Sequence, residues 1–340
     1  MKTGFCTVPG SLLIAGEYLI TEDGGTGLAL AGGCRASLRT EVEASGEDSL
    51  VMEGFWAGGS ERWTPEEPES QTLGFSVWKE YRKQTGIQFS GQRRKISVDT
   101  GEFYSLSGQK LGFGSSAAAA VLYTRGLFFG PPPLEKISRC ALEAHRNWQG
   151  GRGSGYDILT SVNGGAGIFT GGAEPLWTPL RWPDIYRMWI IQGRRSVKSP
   201  DAVKKYRLWK DAAGEHSRTV LGEMKKNIAE LARILQSGGK PDTRGFLEIL
   251  HSLSLSGIGL GELIGVPARP VFPEGFPLPL YRPGALAAKC LGAGDETILL
   301  AAVPDGLSKA ELSFIGTLEE QGLAVVLNPE IDGLINDESE

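Results

Sequence analysis

The residues best able to do chemistry sit in three glycine-rich runs. The first, Leu111-Gly-Phe-Gly-Ser-Ser-Ala-Ala-Ala-Ala120, sends a glycine loop straight into a helical pattern. Glycine lets the backbone approach a bulky anion, and a helix start offers unpaired N–H groups and the positive end of its dipole. Gly112, Gly114, Ser115, Ser116 and Ala117 are therefore candidates for a phosphate cradle. The serine hydroxyls could hold phosphate oxygens or Mg²⁺. The same run also reads as a tight turn with a serine N-cap before a packed helix. In the second run, Gln149-Gly-Gly-Arg-Gly-Ser-Gly-Tyr-Asp157, flexible glycines deliver one carboxylate to a predicted helix start. Asp157 there is either a cap or a functional acid. The third run, Gly292-Ala-Gly-Asp-Glu296, precedes a strand and also fits a plain turn.

These runs need elements to position them. Residues 3–20 read as strand around a Pro9-Gly10 break, and the alternation from Ala36 to Ala44 marks a half-exposed antiparallel strand. The Gly-, Pro- and Glu-rich segment 57–70 reads as a surface loop. Ser115 to Phe129 is a predicted helix whose alanines permit close packing. The prolines at 131–133 stop it and introduce a second helix, with Leu134, Ile137, Ala141, Ala144 and Trp148 on one face. Tyr186 to Ile191 is strand-like, and Val220, Leu221, Met224, Ile228, Leu231 and Leu235 trace a helical stripe. Strand 297–303, a helix from Ser308 and strand 323–327 follow, with Ser308 and Glu311 forming a capping box. The chain reads as α+β, in two domains divided as 1–185 and 186–340.

Composition excludes several classes. Of 340 residues 48 are glycine, with no Gly-X-Y period, so collagen is out. A net charge of -5 argues against nucleic acid as partner. No signal peptide is expected, and glycine, proline or charge interrupts every candidate membrane span, so a cytoplasmic protein is expected. Cys6, Cys34, Cys140 and Cys290 lie far apart, which suits reduced thiols, and the three histidines are not paired at ligand spacing. The Walker pattern Gly-x4-Gly-Lys-Ser/Thr is absent. Gly112-x-Gly114-x-x-Ala117 meets a loose dinucleotide fingerprint, but 105–110 does not read as a buried parallel strand and no βαβ alternation follows.

Together and in order, the runs resemble the GHMP family of small-molecule kinases. Its first motif is matched by Pro9-Gly-Ser-Leu-Leu-Ile-Ala-Gly-Glu-Tyr18, its phosphate loop by Gly112 to Ala118, and its third motif by Gly292-Ala-Gly294. Ala15-Gly-Glu-Tyr18, Ala144-His145, Gln149-Gly150 and Gly153-Ser-Gly-Tyr-Asp157 bring the resemblance nearest to members that phosphorylate phosphomevalonate in isoprenoid precursor synthesis. Gly193 to Ser199 is similar to their substrate-side segment, more loosely. The resemblance implies an N-terminal domain with a left-handed βαβ unit, a ferredoxin-like C-terminal domain, and an active site between them. It implies ATP and Mg²⁺, with Ser116 as the metal-side hydroxyl and Asp157 as the catalytic carboxylate. Ser11, Glu17, Tyr18, His145, Ser154, Gly155, Lys198 and Gly294 are the implied substrate-side residues.

Two departures bear on the reaction. Ser11 stands where the family usually has lysine, and Asp295 and Glu296 stand where its third motif has more glycine. The expected partner is a small phosphorylated or hydroxylated acid, with neither nucleic acid nor membrane. A phosphate acceptor is mostly ionised at pH 7 and leaves Asp157 chiefly to orient groups, whereas an alcohol such as mevalonate requires it to take a proton. Lys110, Arg146, Arg152, Arg194, Arg195 and Lys198 lie in or beside the matched segments and favour the phosphate acceptor. The departures keep open a third reading, a protein that binds nucleotide or metabolite without turnover.

Overall fold

The computed structural model describes residues 2–45, 48–67, 71–87, 91–105, 108–151, 153–193, 199–236, 243–273, 278–328 and 332–337. Packing divides the chain into two compact units, each discontinuous in sequence. The first comprises 1–11, 34–164 and 330–340, and the second 12–33 and 165–329. Two long strands, β1 (Lys2–Ala15) and β2 (Thr26–Ala44), contribute residues to both. The expected cut after residue 185 falls inside the second unit.

In the first unit, β1 and β2 are followed by β3 (Ser49–Trp56), β4 (Gly59–Trp63), α1 (Leu73–Thr85) and β5 (Gln92–Asp99). β3 pairs parallel with β5, and α1 lies in the connection between them, giving a βαβ unit. β5 in turn pairs antiparallel with β2. The alternation expected of β2 is visible in buried Ala36 and Leu38 beside exposed Ser37 and Arg39. The segment expected as a loop over 57–70 instead contains β4. Gly58, at φ 108°, makes the hairpin turn, and buried Trp63 fastens the strand. Nor is Pro9-Gly10 a break, because β1 runs through it. The described β13 (Ile335–Asp337) pairs with Phe5–Thr7, so that pairing ends before Pro9.

Four helices pack together in this unit, α1, α2 (Ser115–Leu127), α3 (Leu134–Trp148) and α4 (Tyr156–Asn163), and α2 lies on β5. Ala117, Ala118 and Ala120 are fully buried, and a Cβ at Gly126 would lie 2.8 Å from Ile96, so small residues let α2 lie close on β5. Arg94 of β5 closes the far end of α2, donating from Nη1 to the carbonyls of Gly126 and Leu127 at 3.0 and 2.7 Å. The α3 stripe is buried at Ile137, Ala141 and Ala144, while Leu134 and Trp148 at its ends are exposed.

In the second unit, the first half of β2 pairs with β6 (Ala166–Thr170), and β6 with β7 (Leu176–Leu180). The chain continues through β8 (Arg187–Gln192), α5 (Ser199–Ala213), α6 (Glu215–Gln236) and α7 (Thr243–Ile264). β9 (Tyr281–Arg282), β10 (Leu286–Leu291), β11 (Thr297–Ala302), α8 (Lys309–Glu320) and β12 (Ala324–Val326) follow. These five strands form an antiparallel sheet in the order β12-β8-β11-β10-β9. With β9 set aside, β8, β10, β11 and β12 stand in the βαββαβ order of a ferredoxin-like domain. Side chains alternate across it. Ile191, Leu286, Ala288, Ile298 and Leu300 join Ile315 and Leu318 of α8 in one core. The predicted box is present at α8, where Ser308 Oγ accepts from Glu311 N and Glu311 Oε2 accepts from Ser308 N at 2.7 Å.

One sequence expectation needs correction. Residues 244–264, within α7, are long and apolar enough to cross a membrane by length and composition. The run was expected to be broken by glycine, proline or charge, but the helix passes through Gly257, Gly259 and Gly261 and packs on β10 and α6.

Candidate active site

The α2 loop owes its shape to two glycines. Gly112 and Gly114 have φ of 81° and 74°, a region that side chains with a Cβ resist. Gly114 is needed twice over, since a Cβ there would lie 2.6 Å from Ser11 Oγ and 3.8 Å from the Asp157 Cβ. Ser11 N donates to Phe113 O at 2.9 Å, so β1 fastens the loop from below. Gly114 is itself the N-cap of α2, and no side chain caps that end. The serine cap allowed by the sequence is therefore not used. Ala117 and Ala118 donate back to Gly114 O, which leaves the N–H groups of Ser115 and Ser116 to serve an anion.

Ser116, His145 and Asp157 are brought together here. His145 is 1% exposed, its Nε2 lies 3.1 Å from Ser116 Oγ, and its Nδ1 lies 3.9 Å from Asp157 Oδ2. Gln149 Nε2, which can only donate, lies 3.4 Å from the same Nε2. In the tautomer with the ring proton on Nδ1, facing Asp157, Nε2 accepts from Ser116. Ser116 then donates to the ring, which leaves its oxygen lone pairs for a cation. Asp157 is not the cap of α4, since Gly155 occupies that position with φ 88°. Its Oδ1 accepts from Ile158 N at 3.0 Å, and its Oδ2 is left facing His145.

The loop before α4 is tied down by Arg146. Its Nε donates to Gly153 O at 3.1 Å and its Nη2 to Ser154 O at 3.0 Å. Arg146 thus fixes the segment that delivers Asp157. Lys110 is exposed. Arg152, Arg194, Arg195 and Lys198 lie outside the described residues. Ser11 is fully buried and its Oγ has no partner.

Glu17, Tyr18 and Gly294 belong to the second unit and line one cavity there, with Ser254, Lys289 and Ala293. Lys289, the cation sequence reasoning missed, is 2% exposed and donates from Nζ to Glu17 Oε1 and to Cys290 O. The available signal was one lysine inside the otherwise apolar run Leu286–Leu291, a position that demands a partner. Asp295 is also buried, its Oδ1 without a partner, and its backbone lies against Gly193, where a Cβ would be 1.7 Å from Asp295 O. Burial pushes the Cys140 and Cys290 thiols up to about 12, so neither is a thiolate nucleophile at neutral pH.

The α2 end suits a nucleotide phosphate with its metal. It joins an uncapped helix start, a glycine loop without side chains in the way, and a hydroxyl with free lone pairs. Among the described residues no three His, Cys, Asp or Glu side chains converge as a cage, so a dication here would take most of its ligands from phosphate and water.

No protein-family model and no curated protein matches the chain. Solved structures match it over nearly its full length. A Lin0012 protein from Listeria innocua aligns with a TM-score of 0.74 at 18% identity, covering 99% of this chain and 100% of that one. Streptococcus pneumoniae phosphomevalonate kinase, in complex with phosphomevalonate and AMPPNP, aligns at 0.67 and 13%, covering 99% and 100%. L. major mevalonate kinase, in complex with R-mevalonate, aligns at 0.66 and 14%, covering 95% of each. The fold of this chain is accordingly that of the GHMP kinases, the family its glycine motifs resemble.

Proposed function

We propose that the chain is an ATP-dependent kinase of small acids, with phosphomevalonate as acceptor and its diphosphate as product. The observation that carries this reading is the meeting of Ser116, His145 and Asp157 at the uncapped start of α2. Bound ATP would supply the phosphoryl group, and Mg²⁺ would neutralise charge on its β- and γ-oxygens. In this reading the N–H groups of Ser115 and Ser116 hold the nucleotide phosphates and Ser116 Oγ holds the metal side. His145 keeps both partners in place, its Nε2 fixing the Ser116 hydroxyl and its Nδ1–H turned to the carboxylate. Asp157 Oδ2 orients an acceptor that is already ionised, or takes a proton from one that is an alcohol.

The GHMP-kinase fold supports a phosphotransferase, and the phosphate acceptor is preferred on the basic residues in or beside the matched segments, among them Lys110, Arg194, Arg195 and Lys198. The third motif adds nothing to that preference, because Glu17 neutralises Lys289 and Asp295 is buried beside them. Mevalonate is the second reading, and the unpartnered hydroxyl of buried Ser11 favours it, since no cation replaces the usual lysine at that position. ADP release measured with phosphomevalonate, mevalonate and simple sugars tests the choice. Turnover should be highest with phosphomevalonate, and a preference for mevalonate would move the assignment to the alcohol. ATP binding without turnover on any acceptor would overturn the enzyme reading.

A further inference from the structure

Tyr18 has φ 67° and ψ -41°, and among the described residues it is the only non-glycine with positive φ. Leu19 N donates to Glu17 O at 2.8 Å, so Tyr18 is the centre of a γ-turn, a conformation unfavourable for a bulky side chain. Such a residue persists only where its surroundings over-determine it, and these do. Before it stands Gly16, where a Cβ would lie 2.5 Å from Gly27 Cα. The Tyr18 ring stacks on Tyr206 at 5.1 Å, and the Tyr206 hydroxyl donates to Glu22, which also takes Lys210 Nζ at 2.6 Å.

The turn sends two adjacent side chains to the third motif. Glu17 meets Lys289 on β10, and the Tyr18 hydroxyl donates to Ala293 O at 2.7 Å. Lys289 also donates to Cys290 O at 2.8 Å. The loop is thus gripped at its entry and at its tip. The grip at the tip has a geometric consequence. A trans peptide holds its C=O and N–H on opposite sides, so drawing Ala293 O toward Tyr18 turns the Gly294 N–H away from it. Burial and the neighbouring Glu17 charge raise the phenol pKa, which keeps this hydroxyl a donor at neutral and mildly alkaline pH.

We propose that Tyr18, backed by the Glu17–Lys289 pair, is a positioning residue that holds the Gly292–Gly294 loop in one conformation, and through that loop shapes the acceptor side of the site. The acceptor half rests on the kinase reading of this loop; the clasp itself does not. Tyr18 and Glu17 then act through the loop rather than as substrate ligands.

Tyr18→Phe keeps the ring, its stack and its volume, and deletes only the hydroxyl. The variant should show amide exchange in the 291–297 peptide accelerated about tenfold, as expected for the loss of one hydrogen bond, with exchange elsewhere unchanged. With phosphomevalonate, its acceptor KM should rise about fivefold to tenfold while kcat and the ATP KM stay within about twofold. Unchanged exchange at 291–297 would overturn the clasp, and lowered kcat with an unchanged acceptor KM would overturn its acceptor role. Exchange is read on the ligand-free chain, so a wild type inert toward every acceptor would sink the kinase reading and the acceptor half, while the clasp would still stand or fall on exchange.

Discussion

Asp157 divides its two oxygens between two duties. Oδ1 holds the first turn of α4 through Ile158 N, and Oδ2 faces His145. Replacing it with asparagine keeps an oxygen for the backbone contact and removes the charge. Asp157→Asn should lower kcat by about 10²-fold where Asp157 orients an ionised acceptor, and by up to about 10⁴-fold where it takes a proton from an alcohol, with ATP affinity near wild type. Parallel loss of kcat and ATP affinity would make Asp157 a structural residue. At this scale the sequence was informative where chemistry is local. The glycine runs announced Gly114, Ser116 and Asp157, because backbone geometry at a helix start depends on neighbours in the chain. His145 came only through resemblance, since its partners stand 29 and 12 residues away, and the hold of Arg146 on Gly153 and Ser154 was not foreseen.

Elements show the same division. The capping box of α8 was legible because Ser308 and Glu311 are three residues apart. Its second support was not, since Arg282 comes from another strand and donates to Glu311 at 2.6 Å. That hydrogen bond outweighs burial and, with the cap, holds the Glu311 carboxyl below its ordinary value of 4.5. A carboxyl lowered in the folded state contributes stability that is full above the unfolded value and is lost as pH falls through the folded one. Wild type should therefore melt above Glu311→Gln at neutral pH, and the gap should narrow as thermal scans move below about pH 4.5. An unchanging gap would mean that Glu311 acts through packing alone. β10 carries the less legible case. Lys289→Met would strand the Glu17 charge in the interior, at about 3–5 kcal/mol in urea unfolding. Adding Glu17→Leu should recover most of that loss, and failure to recover would show that the pair is needed for more than neutrality.

For the whole molecule, the α+β class and the ordered set of glycine motifs were readable because each motif is contiguous. The discontinuous units were not, because β1 and β2 each pass residues to both, a property of pairing rather than of composition. The length and apolar character of α7 were not read from the sequence, because glycine was taken to interrupt every such run and α7 runs through its own. In the proposed function this fold transfers a phosphoryl group from ATP to a small phosphorylated acid. Phosphorus-31 NMR of the full chain with ATP, Mg²⁺ and phosphomevalonate tests it most directly. The expected result is loss of the ATP γ resonance with matched growth of ADP and of two coupled resonances from a new diphosphate ester, and none of this with Asp157→Asn. ADP accompanied only by inorganic phosphate, or an unchanged spectrum from a chain that binds ATP, would contradict it.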